Sequence, residues 1–179
     1  MMRKALMQAG EALSGLFERK FKIAEIALSH RTPAELPEIL GDAAEPVCAS
    51  FYQIRGEIPG FLLLIMPIDE VNAFLKPLLG DHVTEEAMAD SAFGEVGNVV
   101  GSAFLNYLAD YYRTYAAPTP PQVFRDMVGA LMGSLAAVFV AEGQEQVPVV
   151  RTVFTQESEK LSALLLWIPY ALSLSELRK

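Results

Sequence analysis

Little in this chain can ligate a metal or form a disulfide. Cys48 is the one cysteine, and His30 and His82 are the only histidines. A lone cysteine closes no internal disulfide, and with the histidines far apart in sequence there is no ligand set of zinc type. Cys48 therefore reads as a core residue of a cytoplasmic protein. Positive charge is scarce too: 14 Lys and Arg against 22 Asp and Glu leave a net charge of −8. Nucleic acid and anionic membranes both recruit clustered Lys and Arg, so neither suits this chain, and a neutral or basic protein surface suits it better. Long apolar runs are also missing. "FLLLIMPI" and "MVGALMGSLAAVFVA" fall short of the ~18–20 residues that span a bilayer, and the first contains a proline. The basic N-terminal stretch takes up Glu11 and Glu18 before any apolar core of signal-peptide type forms, so it reads as helix.

Hydrophobic residues make up 52% of the 179, which excludes a disordered chain. A chain of this length buries roughly two-thirds of its unfolded surface, so one domain over residues 1–179 is expected. Apolar positions at Leu6, Leu13, Leu16 and Phe17 predict a first amphipathic helix over 3–19. "KFKIAEIALS" has the period of a strand, and "TPAELPEILG" reads as a short helix opened by Thr32 and Pro33. Two strands then flank "GEIPG", and "IDEVNAFLKPLLG" returns to helix. Thr84, followed by Glu85 and Glu86, is the expected N-cap of a long helix running to about Arg113. After the proline-rich "YAAPTPPQ", a second apolar helix is expected over about 122–141. A second hairpin around a charged tip and a short final helix, "YALSLSELRK", complete the chain.

The chain repeats itself. Residues 46–75 align without gaps on 148–177, with matched prolines (Pro46/Pro148, Pro67/Pro169) and matched leucine runs (Leu62–Leu64 on Leu164–Leu166). The repeat predicts an α+β domain of two pseudo-symmetric helix/β-hairpin units, forming a mostly antiparallel sheet with long helices packed on it.

The stretch "SAFGEVGNVVGSAF", residues 91–104, is a poor helix sequence: it holds Gly94, Gly97 and Gly101, each costing about 1 kcal/mol against alanine in a helix interior. Ser91, Glu95, Asn98 and Ser102 recur at the spacing that shares one helix face. Phe93, Val96, Val100, Phe104 and Tyr107 lie elsewhere and can carry the packing. The glycines beside the stripe remove bulk, so the spacing leaves two readings: close helix packing beside a solvated stripe, or clearance for a partner's backbone.

"Ser91-x3-Glu95-x2-Asn98", followed by twenty-two residues and Pro121, resembles the signature of the CheC/CheX/FliY phosphatases of bacterial chemotaxis. With each residue type used at about one in twenty, such a match should arise by chance in roughly a few chains per thousand. "ALSGLFERKFKI", "TPAELPEILGD" and "PPQVFRDMVGALMG" are similar to the family as well. Many CheC proteins carry the signature once per half. Here a shift of 95 places Arg3 at the counterpart of Asn98 and Ile26 at that of Pro121, so only the second site is retained.

The resemblance implies a protein aspartyl-phosphate phosphatase acting on a phosphorylated regulator of CheY type. Glu95 and Asn98 would be catalytic, and Ser91, Gly94, Ser102 and Pro121 would bind or shape the contact. The resemblance implies no cofactor of the chain's own, because the regulator brings Mg²⁺ and a lysine to its own phosphate. It leaves oligomeric state open, since CheX-like members pair as homodimers and CheC-like members are often monomers. The rival class is a non-catalytic module that kept the helix face only to dock a regulator or a flagellar component. His30, His82 and the tyrosines of "YLADYYRTY" read as structural.

Overall fold

The structure, a computed structural model, describes residues 1–156 and 161–170. Those residues form four α-helices, α1 (Met2–Phe17), α2 (Val71–Leu79), α3 (Glu86–Tyr112) and α4 (Val128–Ala141). Seven strands accompany them: β1 (Lys22–Arg31), β2 (Pro46–Gly56), β3 (Gly60–Pro67), β4 (Ala116–Pro118), β5 (Gln122–Met127), β6 (Val147–Gln156) and β7 (Leu161–Pro169). The architecture is α+β, one antiparallel sheet in the order β1-β6-β7-β3-β2-β4, with β5 also on β2. Among the described residues no helix is long and apolar enough to cross a membrane.

The alternation of side chains along a strand gives the sheet two buried faces. Tyr52, Leu62, Leu64 and Trp167 lie under α1, α2 and α3. Ala49, Leu63, Ile65 and Leu166 lie under α4 and the 3₁₀ turn Pro33–Glu38. Strands covered on both sides read as continuous apolar runs, which is why "FLLLIMP" shows no period of two.

The repeat is built into the strand register. At the centre of the sheet Leu63 pairs with Leu166 and Leu64 with Leu165, so shifting by 102 positions exchanges one pair for the other. The edges obey the same pseudo-dyad. β1 lies outside β6, while β4 and β5 lie outside β2, so each unit lends its edge strand to the other's hairpin.

Two local expectations need correction. Thr84 does not cap α3: it ends a 3₁₀ turn, its hydroxyl donates to the Asp81 carbonyl, and Glu85 takes the N-cap position. Residues 122–127 are strand, and the second apolar helix starts at Val128; in "QVFRDM" the half-buried Val123 and Arg125 alternate with exposed neighbours, and the segment pairs with β2. The proline-rich connection carries a short strand, Ala116–Pro118, on the sheet edge, where a residue without N–H is tolerated. Apart from Gln156 and Tyr170, the charged tip and the final helix lie outside the described residues.

Cys48 sits fully buried in β2, and burial pushes its thiol from an ordinary 9.0 up to about 12. Because the thiolate is the reactive form, a disulfide reagent at pH 8 is expected to label the native protein only as fast as it unfolds; labelling at a free thiol's rate would contradict the burial. A pKa raised in the folded state also means that stability falls as pH rises through the window from 9.0 to about 12, where the unfolded thiol ionises first.

Candidate functional site on helix α3

Helix α3 lies over β2 with its small residues inward. A methyl added at Gly94 would stand 3.2 Å from Pro121 Cβ and 3.3 Å from Val123 Cγ2, and one at Gly101 would stand 2.6 Å from Leu62 Cδ2. At Gly97 it would run into the hydroxyls of Ser50 and Tyr52. The three glycines therefore let the helix press onto its own sheet. They are not clearance for a partner, and Gly94, being buried, is not on the contact surface. Phe93, Val96, Val100 and Phe104 are buried as their spacing required, and Tyr107 packs at the margin of that core.

Pressing the glycines inward turns the polar stripe outward. Ser91 and Glu95 are exposed, while Asn98 and Ser102 are half-buried on the same helix face. Neither the Glu95 carboxylate nor the Asn98 amide makes a hydrogen bond or ion pair among the described residues, so both remain available to an incoming group. Pro121 reaches this place through space, against Gly94, one residue from Glu95 and four from Asn98.

Several attachments fix the segment. Asp90 Oδ1 accepts from Arg125 Nε at 2.7 Å and lies 2.7 Å from Arg125 Nη2, tying the first turns of α3 to β5. Four residues on, the buried Tyr52 hydroxyl donates to the Gly94 carbonyl at 2.6 Å. Sequence reading missed both Tyr52 and Arg125. Their contacts span 42 and 35 residues, and no local pattern marks them.

The first unit has no equivalent site, although one mapping changes. α1 and α3 each end in a left-handed residue, Glu18 and Arg113, 95 positions apart, which supports the alignment of the helices. The strands after them are offset differently. In β1 the register slips between Ile23, paired with Phe154, and Glu25, paired with Val153, leaving Ala24 as the extra residue. In the other edge Pro120 and Pro121 lie between Thr119, bonded to Gln53, and Gln122, paired with Phe51. Since Phe154 is the counterpart of Tyr52, Ala24 and not Ile26 stands where Pro121 stands. The second unit spends two more residues between helix end and bulge, which an ungapped alignment does not register.

No family model matches the chain. The CheY-P phosphatase CheC of Bacillus subtilis (strain 168) is 26% identical over 168 residues, covering 90% of this chain and 80% of the relative. The chain is thus similar to the CheC/CheX/FliY proteins over most of its length. Solved structures agree on the fold. Thermotoga maritima FliY superposes with a TM-score of 0.67 at 16% identity, over 90% of this chain and 83% of its own. CheX in the CheX-CheY-BeF3-Mg+2 complex of Borrelia burgdorferi gives a TM-score of 0.59 at 16% identity, over 95% and 99% of the two chains.

Among the described residues no group of three His, Cys, Asp or Glu side chains could hold a metal ion. What the site offers is one carboxylate, one carboxamide and two hydroxyls on one face of α3.

Proposed function

We propose that this chain hydrolyses the aspartyl phosphate of a CheY-like response regulator, with Asn98 positioning the attacking water. The observation that carries the reading is the pairing of Glu95 and Asn98, uncommitted and side by side on the outward face of a helix whose inward face is clamped to the sheet. A relative named for this activity and a CheX relative in complex with CheY support it. Because one fold serves many functions, the weight rests on these residues.

Phosphoryl transfer asks the protein mainly for position and charge. The regulator's own Mg²⁺ and lysine would stabilise the phosphoryl oxygens, which leaves the attacking water as the missing part. A carboxamide accepts from water through its oxygen and donates through its nitrogen, so Asn98 can hold water in line with the bond to the aspartate. Water oxygen bonds to phosphorus, the aspartate carboxylate leaves, and the water proton passes to the phosphate released. Glu95, one turn earlier, would pair with the regulator's lysine in a charge-assisted contact that docks and orients the partner. Ser91 and Ser102 would border the contact, and Pro121 would act through the helix by bracing Gly94.

The test is to mix the protein with a ³²P-labelled cognate regulator and time the loss of label. Acceleration that saturates with phosphatase concentration supports the reading; binding without acceleration would leave only a docking module. Glu95→Ala is expected to weaken binding of a beryllofluoride-activated regulator by about 5- to 50-fold, in keeping with the loss of one charge-assisted contact. An unaltered titration would remove Glu95 from docking.

A further inference from the structure

We propose that Tyr52 is the positioning residue for Asn98, holding through its hydroxyl the helical turn that carries the amide. The proposal rests on the phosphatase reading for its kinetic consequence, and on the structure alone for the contact. Tyr52 is buried in the middle of β2, and its hydroxyl donates to the Gly94 carbonyl at 2.6 Å. Within an α-helix that carbonyl also accepts the N–H of the residue four positions on, and in α3 that residue is Asn98. One oxygen thus joins the sheet to the backbone of the candidate water-positioning residue.

The contact is tight on its other side. The same hydroxyl lies where a side chain at Gly97 would begin, so the turn from Gly94 to Gly97 rests directly on Tyr52. The helix can neither settle closer nor rotate there without displacing the hydroxyl. Burial, and to a lesser extent the proximity of Glu95, favour the protonated phenol against an opposing contribution from the Ser50 hydroxyl, and the phenol's pKa is raised. The donor is therefore present throughout the physiological range.

The repeat supplies an internal comparison. The residue 102 positions on, in the same place on β6, is Phe154, which packs on Gly10 of α1 and has no hydroxyl. The first unit also has Arg3 where the second has Asn98. A hydroxyl that served only to anchor a helix on this sheet would be equally useful under α1 and under α3. It occurs under α3, the helix that keeps the signature, and is missing under α1.

Tyr52→Phe tests the proposal, because it removes one oxygen and restores the residue found at the related position. The expected kinetic result is a loss of about tenfold in the rate at saturating regulator, within the range for small misplacements, with the half-saturating concentration changed less than twofold. Phe139→Leu, in the core on the opposite face of the sheet, provides a variant of lowered stability with the wild-type rate. Amide hydrogen exchange gives the second readout. Faster exchange confined to residues 95–99 supports the proposal, and uniform acceleration along α3, or none, overturns it. A wild-type rate in Tyr52→Phe, or an equal loss in Phe139→Leu, overturns it too. A wild-type protein inactive toward every regulator would refute the phosphatase reading, and the exchange pattern would still decide whether Tyr52 holds the Asn98 turn.

Discussion

Asn98→Ala is expected to slow removal of the regulator's phosphate by about 10- to 1000-fold, the range for deleting one preorganised transition-state group. The regulator's own metal and lysine are untouched by the change, so the rate should fall toward that of the regulator alone. The fold should not suffer. Asn98 is only half-buried, its side chain makes no hydrogen bond among the described residues, and alanine is the better helix former. The thermal midpoint is therefore expected to stay level or rise slightly while activity collapses, a combination that separates loss of chemistry from loss of structure. Asn98→Asp sharpens the test. It keeps the size of the side chain, removes the amide donor and places a negative charge beside the phosphoryl oxygens, so its rate should be as low as that of alanine. A near-normal rate in the aspartate variant would mean that an acceptor alone suffices, and a normal rate in both would take Asn98 out of the mechanism.

The features that could be read in the sequence were those written in local spacing. The stripe Ser91, Glu95, Asn98 and Ser102 needs only the helical period, and the pairing of two hairpins needs only the repeat of "LLL" and proline. What local spacing could not show was how the edges of the sheet are made. β5 pairs with β2, whose partner residues lie 71 to 81 positions earlier in the chain, and that pairing turns a stretch expected as helix into a strand. The direction of the glycines was lost for the same reason. A glycine at 94, 97 or 101 lies beside the polar stripe on a helical projection, and only the sheet beneath decides which side is inside. Once β2 supplies Ser50 and Tyr52 under Gly97, and Pro121 comes to rest on Gly94, the small residues become the inner face of the site. Tyr52 was hidden by its surroundings, since a tyrosine in "CASFYQI" reads as one more core aromatic of a buried strand.

Gly97→Ala gives that geometry its largest consequence for stability. In an isolated helix the change would stabilise by about 1 kcal/mol, because alanine costs less backbone entropy than glycine. In α3 the added methyl would begin inside the space held by the Ser50 and Tyr52 hydroxyls, and these belong to a sheet strand that cannot retreat freely. Overpacking of this kind costs about 1–3 kcal/mol. Forcing Tyr52 off the Gly94 carbonyl would add about 1–3 kcal/mol for a buried hydroxyl left without its acceptor. The net expectation is a loss of roughly 2–4 kcal/mol, or about 5–15 °C in the thermal midpoint for a chain of this size. Gly133→Ala in α4 is the contrasting case: a methyl there meets nothing within 4 Å, so the ordinary helical gain of up to about 1 kcal/mol should appear. Opposite signs at two helical glycines, read by denaturant melts of the two variants, would establish that α3 is pressed onto β2. If Gly97→Ala instead raised the midpoint, the helix would not be seated on Tyr52, and the outward presentation of Glu95 and Asn98 would need another cause.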